Sequence, residues 1–422
     1  MTRVSAELAL SEGNDGHARA EQIRMIDIFT LERIVTATEE HILPRCLGGR
    51  LAKVGLIDKT TNDETGHMID AKLDEALRSI RVITGAMSSD GKPPRSLTSV
   101  MGDDGKPYTV AVGGVMRQAP QISTRKLDSG ETLIQGSVPD EAALRDMLRK
   151  HARRSGKKLD HLVQDFTSSS KKRVEAAPAL PFSCEVWDTG ARRATAKIAC
   201  NLLAFAAPDL FLDAAFNGVR EYVLKGTELA VHPVQAVDAR ASEGMGPLDH
   251  LVRVDLQSSG VVSALVVYFG HLAFVVQLGV LAPREPLSVA YRVDQLGGTD
   301  RLNATVDLDV PVPSFADAAA SPDDDVAKLA GAQLERLLPV ALEIQRRLWF
   351  DRIFREEEQR FFAEIGEREL TESEARTFIG TLAARFVEEL TPSAQRASQR
   401  RHDAASAELA AAAVAAAAKK RS

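Results

Sequence analysis

The sequence predicts an α+β chain. It has a strand–turn–helix segment near the N-terminus, a β-rich middle region with helices, and an all-helical C-terminal end. Three observations predict it. Apolar residues recur at helical spacing over 63–83, at Ile69, Leu73, Ala76, Leu77 and Ile80. An uncharged run over 260–282 is rich in valine and carries Tyr268, Phe269 and Phe274, the composition of strands. Gly270-His271 divides that run where a hairpin would turn. A long charged and apolar pattern over 323–366 then reads as helix.

The elements follow in order. Residues 1–24 are a polar lead-in without the apolar stretch of a signal peptide. Residues 25–87 form a compact segment: a strand signal, the Gly48-Gly49 turn, then a helix from about Asp63 to Ile83. Residues 88–106 are rich in Gly, Pro and Ser and read as a linker. An α+β domain is expected over 107–310. It begins with a β-meander over 107–138, broken at Asp128-Ser129-Gly130. Pro139-Asp140-Glu141 opens a helix to about Arg154, with proline and acids at the positive end of its dipole. Residues 155–182 are basic and polar, 190–225 return to amphipathic helix, and 230–310 are β-rich. The uncharged run is long enough for a membrane span. It is read instead as two buried strands, about 261–269 and 272–279, for its valines and central glycine. A helical region is expected over 323–391: one long helix, kinked at Pro339, and a second over about 371–390. Thr371-Glu372-Ser373-Glu374 opens the second with capping-box spacing. In the tail, 392–422, 13 of 31 residues are alanine; it cannot bury a core alone, and mobility is expected.

Composition excludes several classes. The 422 residues are 44% hydrophobic and 27% charged, which is ample for a core and excludes disorder over the whole chain. The net charge of −6 excludes a globally basic nucleic-acid binder but not a local basic patch. The three cysteines, Cys46, Cys184 and Cys200, form no CxxC pair. A cysteine-rich zinc site and a disulfide framework are therefore not expected, whereas a cytoplasmic setting is.

The chemistry concentrates in one segment. Thr38-Glu39-Glu40-His41-Ile42-Leu43-Pro44-Arg45-Cys46-Leu47-Gly48-Gly49-Arg50-Leu51 is followed by Asp58-Lys59-Thr60-Thr61-Asn62-Asp63, then Gly66 and Ile69-Asp70. A carboxylate beside a histidine can supply a metal ligand and a general base together. Asn62 could start the following helix and face the same point. Such a set suits metal-assisted phosphodiester hydrolysis, with His activating water and the ion steadying the leaving oxyanion. Oxygen ligands favour Mg²⁺ or Mn²⁺ over zinc.

This segment resembles the HNH endonucleases, the ββα-metal nucleases, in the branch that reads EHVIPxxLGG, then CxxCNN, glycine and an Ile-Asp pair. EHILPRCLGG matches the first part nearly letter by letter. The resemblance implies an N-terminal ββα-metal core that hydrolyses DNA phosphodiester bonds. His41 would be the general base, and Glu40 and Asn62 would hold a divalent metal. A looser likeness reaches about residues 25–280, through the KIACNLLAFAAP helix. The family's structural zinc pairs are replaced here: the second by Asp58 and Thr61, the upstream one by Asp27-Ile28-Phe29-Thr30 or neighbours. No structural zinc is expected, and packing must hold the motif.

Other residues extend the reading. Residues 145–173 carry ten Lys/Arg against three Asp. Within that stretch Lys150, Arg153, Arg154, Lys157, Lys158, Lys171, Lys172 and Arg173 are expected to contact the DNA backbone, and so are Arg50 and Lys53 beside the motif. The Gly48-Gly49 pair suits a tight turn, and His67 is expected to be exposed. The Trp349-Phe350, Ile353-Phe354 and Phe361-Phe362 stripe suits a packing or dimer seam. DNA is the expected partner, with a possible homo-oligomer through the C-terminal helices and no membrane. Two other readings stand beside the nuclease: a decayed HNH-like nucleic-acid-binding protein, and a helical assembly protein on an HNH-like scaffold.

Overall fold

The computed structural model describes residues 25–118, 121–126, 132–137, 141–155, 180, 184–226, 233–238, 246–302, 315–319, 323–366, 369 and 371–387. The fold is mixed α and β, as the composition of its segments predicts. The chain divides into two compact units. Unit 1 takes in residues up to 76, then 87–91 and 185–337; unit 2 takes in 77–86, 92–184 and those from 338 onward.

Unit 1 is built on a six-stranded antiparallel sheet of order β13-β12-β9-β10-β11-β8. The strands are β8 (Val234–Ala236), β9 (His250–Leu256), β10 (Val261–Tyr268), β11 (Leu272–Val280), β12 (Leu287–Asp294) and β13 (Thr299–Leu302). The uncharged run supplies β10 and β11, paired from Tyr268↔Leu272 to Ser263↔Gln277, with an irregularity before Val262↔Gly279. The turn uses positive φ at Phe269 (51°) and Gly270 (64°), the sense that matches strand twist. Among the described residues no helix is long and apolar enough to cross a membrane.

Helix α4 (Thr189–Ala206) packs on β9, β10, β11 and β12, and also on the N-terminal motif. It is covered on both sides, and every residue from Ala194 to Ala204 is buried. Asp188 caps it, accepting from the Gly190 N–H at 2.8 Å, and Thr195 Oγ1 meets the Tyr268 hydroxyl at 2.9 Å.

The N-terminal motif is an antiparallel hairpin followed by a helix. Strand β1 (Ala37–His41) pairs with β2 (Ala52–Asp58) through Glu39↔Val54, Glu40↔Lys53 and His41↔Ala52. Between them Ile42, Leu43 and Leu47 are buried. Gly48 takes a φ of +76° to end a short helical turn. A Cβ on Gly49 would lie 2.0 Å from the Leu43 carbonyl oxygen, so only glycine fits. The glycine pair thus makes the tight turn that the sequence suggests. Its exit is pinned by Tyr291 of β12, whose hydroxyl accepts from the Arg50 and Leu51 N–H groups at 3.0 Å each.

The helix starts earlier than the apolar period implies. It runs as α1 (Lys59–Thr65), a π-helical turn (Gly66–Asp70) and α2 (Ala71–Thr84). Asp58 is its N-cap, accepting from the Thr60 N–H at 2.9 Å. Asn62, expected to open the helix, lies inside its first turns.

In unit 2, β3 (Leu97–Met101), β4 (Pro107–Ala111) and β5 (Val115–Gln118) form a three-stranded sheet, and β6 (Gln121–Lys126) pairs with β7 (Thr132–Ser137). Strand β3 falls in the segment read as a linker; Leu97↔Val110 pairing overrides its weak strand composition. Helix α3 (Glu141–Ser155) follows. The long C-terminal helix, Asp323–Ile365, is one element with Pro339 inside it. A last helix spans 372–387. Its capping box forms as the sequence predicts: the Glu374 N–H donates to Thr371 Oγ1 at 3.3 Å, and Glu374 Oε2 accepts from the Thr371 N–H at 2.9 Å. Trp349 and Phe350 stack on Phe386, and Phe354 and Phe361 on Phe378. These members of the aromatic stripe are therefore a seam within the chain. The tail 392–422 lies outside the described residues.

Candidate functional site

Two carboxylates stand where the resemblance implies zinc-binding cysteines. Asp27 is fully buried. Its carboxylate accepts from the N–H groups of Phe29 (2.8 Å), Thr30 (3.0 Å) and Asp58 (2.8 Å). Asp58 accepts in turn from Val35 and Thr36, both at 2.8 Å, besides Thr60. The backbone bonds from Thr36, Thr60 and Val35 hold the Asp58 carboxyl down at about 2. Two side chains thus tie the 25–36 loop, the end of β2 and the start of α1 together by hydrogen bonds.

Above this base lies a cleft of about 340 Å³, lined by Glu39, Glu40, His41, Arg45, Asn62, Asp70, Lys197 and Asn201 among others. His41 ends β1. Its Nε2 accepts from Arg45 Nε at 3.2 Å, the contact of a ring nitrogen that carries no proton. Burial first, and then the Arg45 guanidinium, hold the imidazole below its ordinary value. Arg45 also pairs with Glu39 at 2.9 Å, with both side chains more than half exposed, a contact that orients more than it stabilises.

Glu40 faces inward and is only 5% exposed. Its carboxylate accepts from Asn201 Nδ2 at 2.7 Å and meets Lys197 Nζ at 2.8 Å. Lys197, 1% exposed, reaches Asp70 Oδ2 at 2.7 Å as well. One ammonium therefore serves two carboxylates. Burial pushes the Glu40 carboxyl above its ordinary value, against the pull of Lys197. Burial also works against the Lys197 charge, but Asp70 and Glu40 together raise its ammonium. Asn201 further donates to the His41 carbonyl at 3.1 Å, which fixes the end of β1.

Asn62 points its amide nitrogen at Thr38 Oγ1 (3.2 Å) and the Glu39 carbonyl (3.4 Å), holding β1 against the helix. Asp70 reaches the same cleft through the π turn. Eight residues of α-helix would set it ~80° round from Asn62. The extra residue in the wide turn cuts that to ~20°.

His41, Glu40 and Asn62 therefore share one cleft, as the spacing predicts. Lys197 and Asn201 are the residues that sequence reasoning missed. Their signal is a lysine and an asparagine four apart in an otherwise apolar helix, KIACNLLAFA. A divalent metal held by Glu40 and Asn62 does not fit the residues present. Lys197 and Asn201 both sit on Glu40 Oε1, so an ion there would share that carboxylate with a buried ammonium, and Asn62 turns its amide nitrogen to β1. Among the described residues, no group of three His, Cys, Asp or Glu side chains is placed to hold an ion.

The described members of the expected DNA contacts fall in both units. Lys53 points its ammonium at the Phe205 carbonyl (3.5 Å) at the end of α4, while Arg50 is exposed. Lys150 and Arg153 are exposed on α3, with Lys150 paired to Asp146 at 2.7 Å. The Arg154 side chain and Lys157, Lys158, Lys171, Lys172 and Arg173 lie outside the described residues. His67 is exposed, as expected. Comparison of the chain with protein-family models, curated proteins and solved structures finds no match.

Proposed function

We infer that this chain hydrolyses nucleic-acid phosphodiester bonds at the His41 cleft, on a hairpin-and-helix core of the ββα nuclease kind. The observation that carries this reading is His41 itself. It is an imidazole with an acceptor nitrogen and a lowered pKa, lining a cleft together with Arg45 and Lys197. A base whose pKa lies below its ordinary value is unprotonated at neutral pH and ready to accept a proton.

In this reading a phosphodiester entering the cleft draws the Arg45 guanidinium from His41 to its own oxygens, a better partner for that fork. Nε2 is then free to take a proton from water as the water oxygen attacks phosphorus. The P–O bond to the leaving oxygen breaks, and that oxygen is protonated by solvent. Arg45 offsets the charge that builds on phosphorus. Asn201 and Asn62 act as positioning residues through the backbone of β1.

A plasmid-nicking assay tests the reading. Supercoiled DNA should be nicked by the wild type and at least ~100-fold more slowly by His41→Ala. A His41→Ala protein that cuts as fast as wild type would remove His41 from the mechanism. A second reading, binding without hydrolysis, is favoured by the engagement of Glu40 with Lys197. It gives salt-sensitive DNA retention and no nicking in any buffer.

A further inference from the structure

We propose that Lys197 is the resident cation of this cleft: its ammonium fills the place between Glu40 and Asp70 that a divalent ion would take, and so excludes one. The inference rests on the reading of the cleft as a phosphodiester site only for what the cleft acts on. The exclusion itself is carried by the geometry. Nζ lies 2.8 Å from Glu40 and 2.7 Å from Asp70. All three side chains line one cleft, and Lys197 is 1% exposed. An ion on the same two carboxylates would share them with a buried ammonium, whose repulsion water does not dilute.

The surroundings are otherwise those of a cation site. Asp70 Oδ1 and Asn201 Oδ1 are buried acceptors with no hydrogen-bond partner. With the Glu40 carboxylate they make a set of hard oxygen donors suited to Mg²⁺ or Mn²⁺. Lysine replaces the ion with a charge that is fixed to α4 and cannot be chelated away. Removing that one charge should therefore turn the cleft into a metal site.

The test is a Mn²⁺ titration of the full chain, followed by the electron paramagnetic resonance signal of free Mn²⁺ and by melting temperature. Wild type and Lys197→Arg should show no saturable site at millimolar Mn²⁺ and no shift in melting. Lys197→Met should bind Mn²⁺ at least ~10-fold more tightly than wild type. Its melting temperature should rise with Mn²⁺, and Asp70→Asn in that background should cancel both gains. If Lys197→Met folds poorly alone, Mn²⁺ should restore its folding. Saturable binding by the wild type that Glu40→Gln abolishes overturns the proposal. So does a Lys197→Met protein that Mn²⁺ neither binds nor stabilises. Nicking by the wild type should persist in EDTA. Its absence in every buffer defeats the hydrolysis reading alone and leaves the Mn²⁺ result to decide the role of Lys197.

Discussion

His41 meets charge from three sides: Arg45 at its Nε2, Glu39 beyond that arginine, and Lys197 from below. Arg45 and Lys197 disfavour the imidazolium, and Glu39 favours it. Because the pKa of the folded protein lies below the ordinary 6.5, activity should be flat at neutral pH and fall only as pH drops through that lowered value. Arg45→Ala removes a cation next to the ring. The acid limb should then move to higher pH, and phosphate binding should weaken. A pH–rate profile with an NMR titration of His41 reads both. An unmoved limb would show that Arg45 does not set the ionisation. At Glu40, replacement by Gln leaves Lys197 buried with Asp70 alone. Losing one partner of a buried ion pair costs about 3–5 kcal/mol, to be read from chemical denaturation.

The hairpin and its helix depend on two kinds of local device. One is glycine at an approach too close for any Cβ. Gly49→Ala must displace the Leu43 carbonyl and should cost about 1–3 kcal/mol, as overpacking does. Activity should fall with it, because Leu43 lies two residues from His41. The other is the carboxylate pair that ties the loop to the helix. Asp27→Ala would strand buried N–H donors, at about 3 kcal/mol. Asp58 adds a pH dependence whose sign is fixed by its shift. Its carboxyl stands at about 2 in the folded chain against an ordinary 3.8. Its contribution is complete above the ordinary value and is lost as pH falls toward 2. Acid unfolding of Asp58→Asn should therefore be less steep across that window than that of the wild type. Equal slopes would mean that the backbone bonds do not perturb Asp58.

At the scale of the whole molecule, one helix makes the site possible. Helix α4 lies on the sheet with one face and on the N-terminal motif with the other, and Lys197 and Asn201 come from its buried middle. The cleft is thus a product of unit 1, closed by residues some 130 to 160 positions away from the motif. Charge is arranged at this scale too. The chain is acidic overall, yet 145–173 are strongly basic. If those residues hold DNA, replacing Lys157, Lys158, Lys171, Lys172 and Arg173 by Gln should weaken binding at every sequence tested. The slope of log K against log salt should shrink by about 0.9 for each phosphate that is no longer neutralised. An unchanged slope would show that these residues do not hold DNA.

The sequence by itself determined whatever depends on near neighbours. Valine content and Gly270-His271 define the β10–β11 hairpin, Thr371 and Glu374 define a helix start, and the Leu47-Gly48-Gly49 spacing defines a tight turn. It also brought Glu40, His41 and Asn62 to one cleft, because the antiparallel hairpin returns the chain beside β1 just before α1 begins. Tertiary structure alone decided what those residues can do there. Asp58 took the helix cap from Asn62, a wide turn rotated Asp70 inward, and α4 delivered an ammonium to Glu40. The physical reason is that hydrogen bonds within a turn are local, whereas a buried charge is settled by whichever partner the fold carries to it. No period or motif in the N-terminal segment contains Lys197.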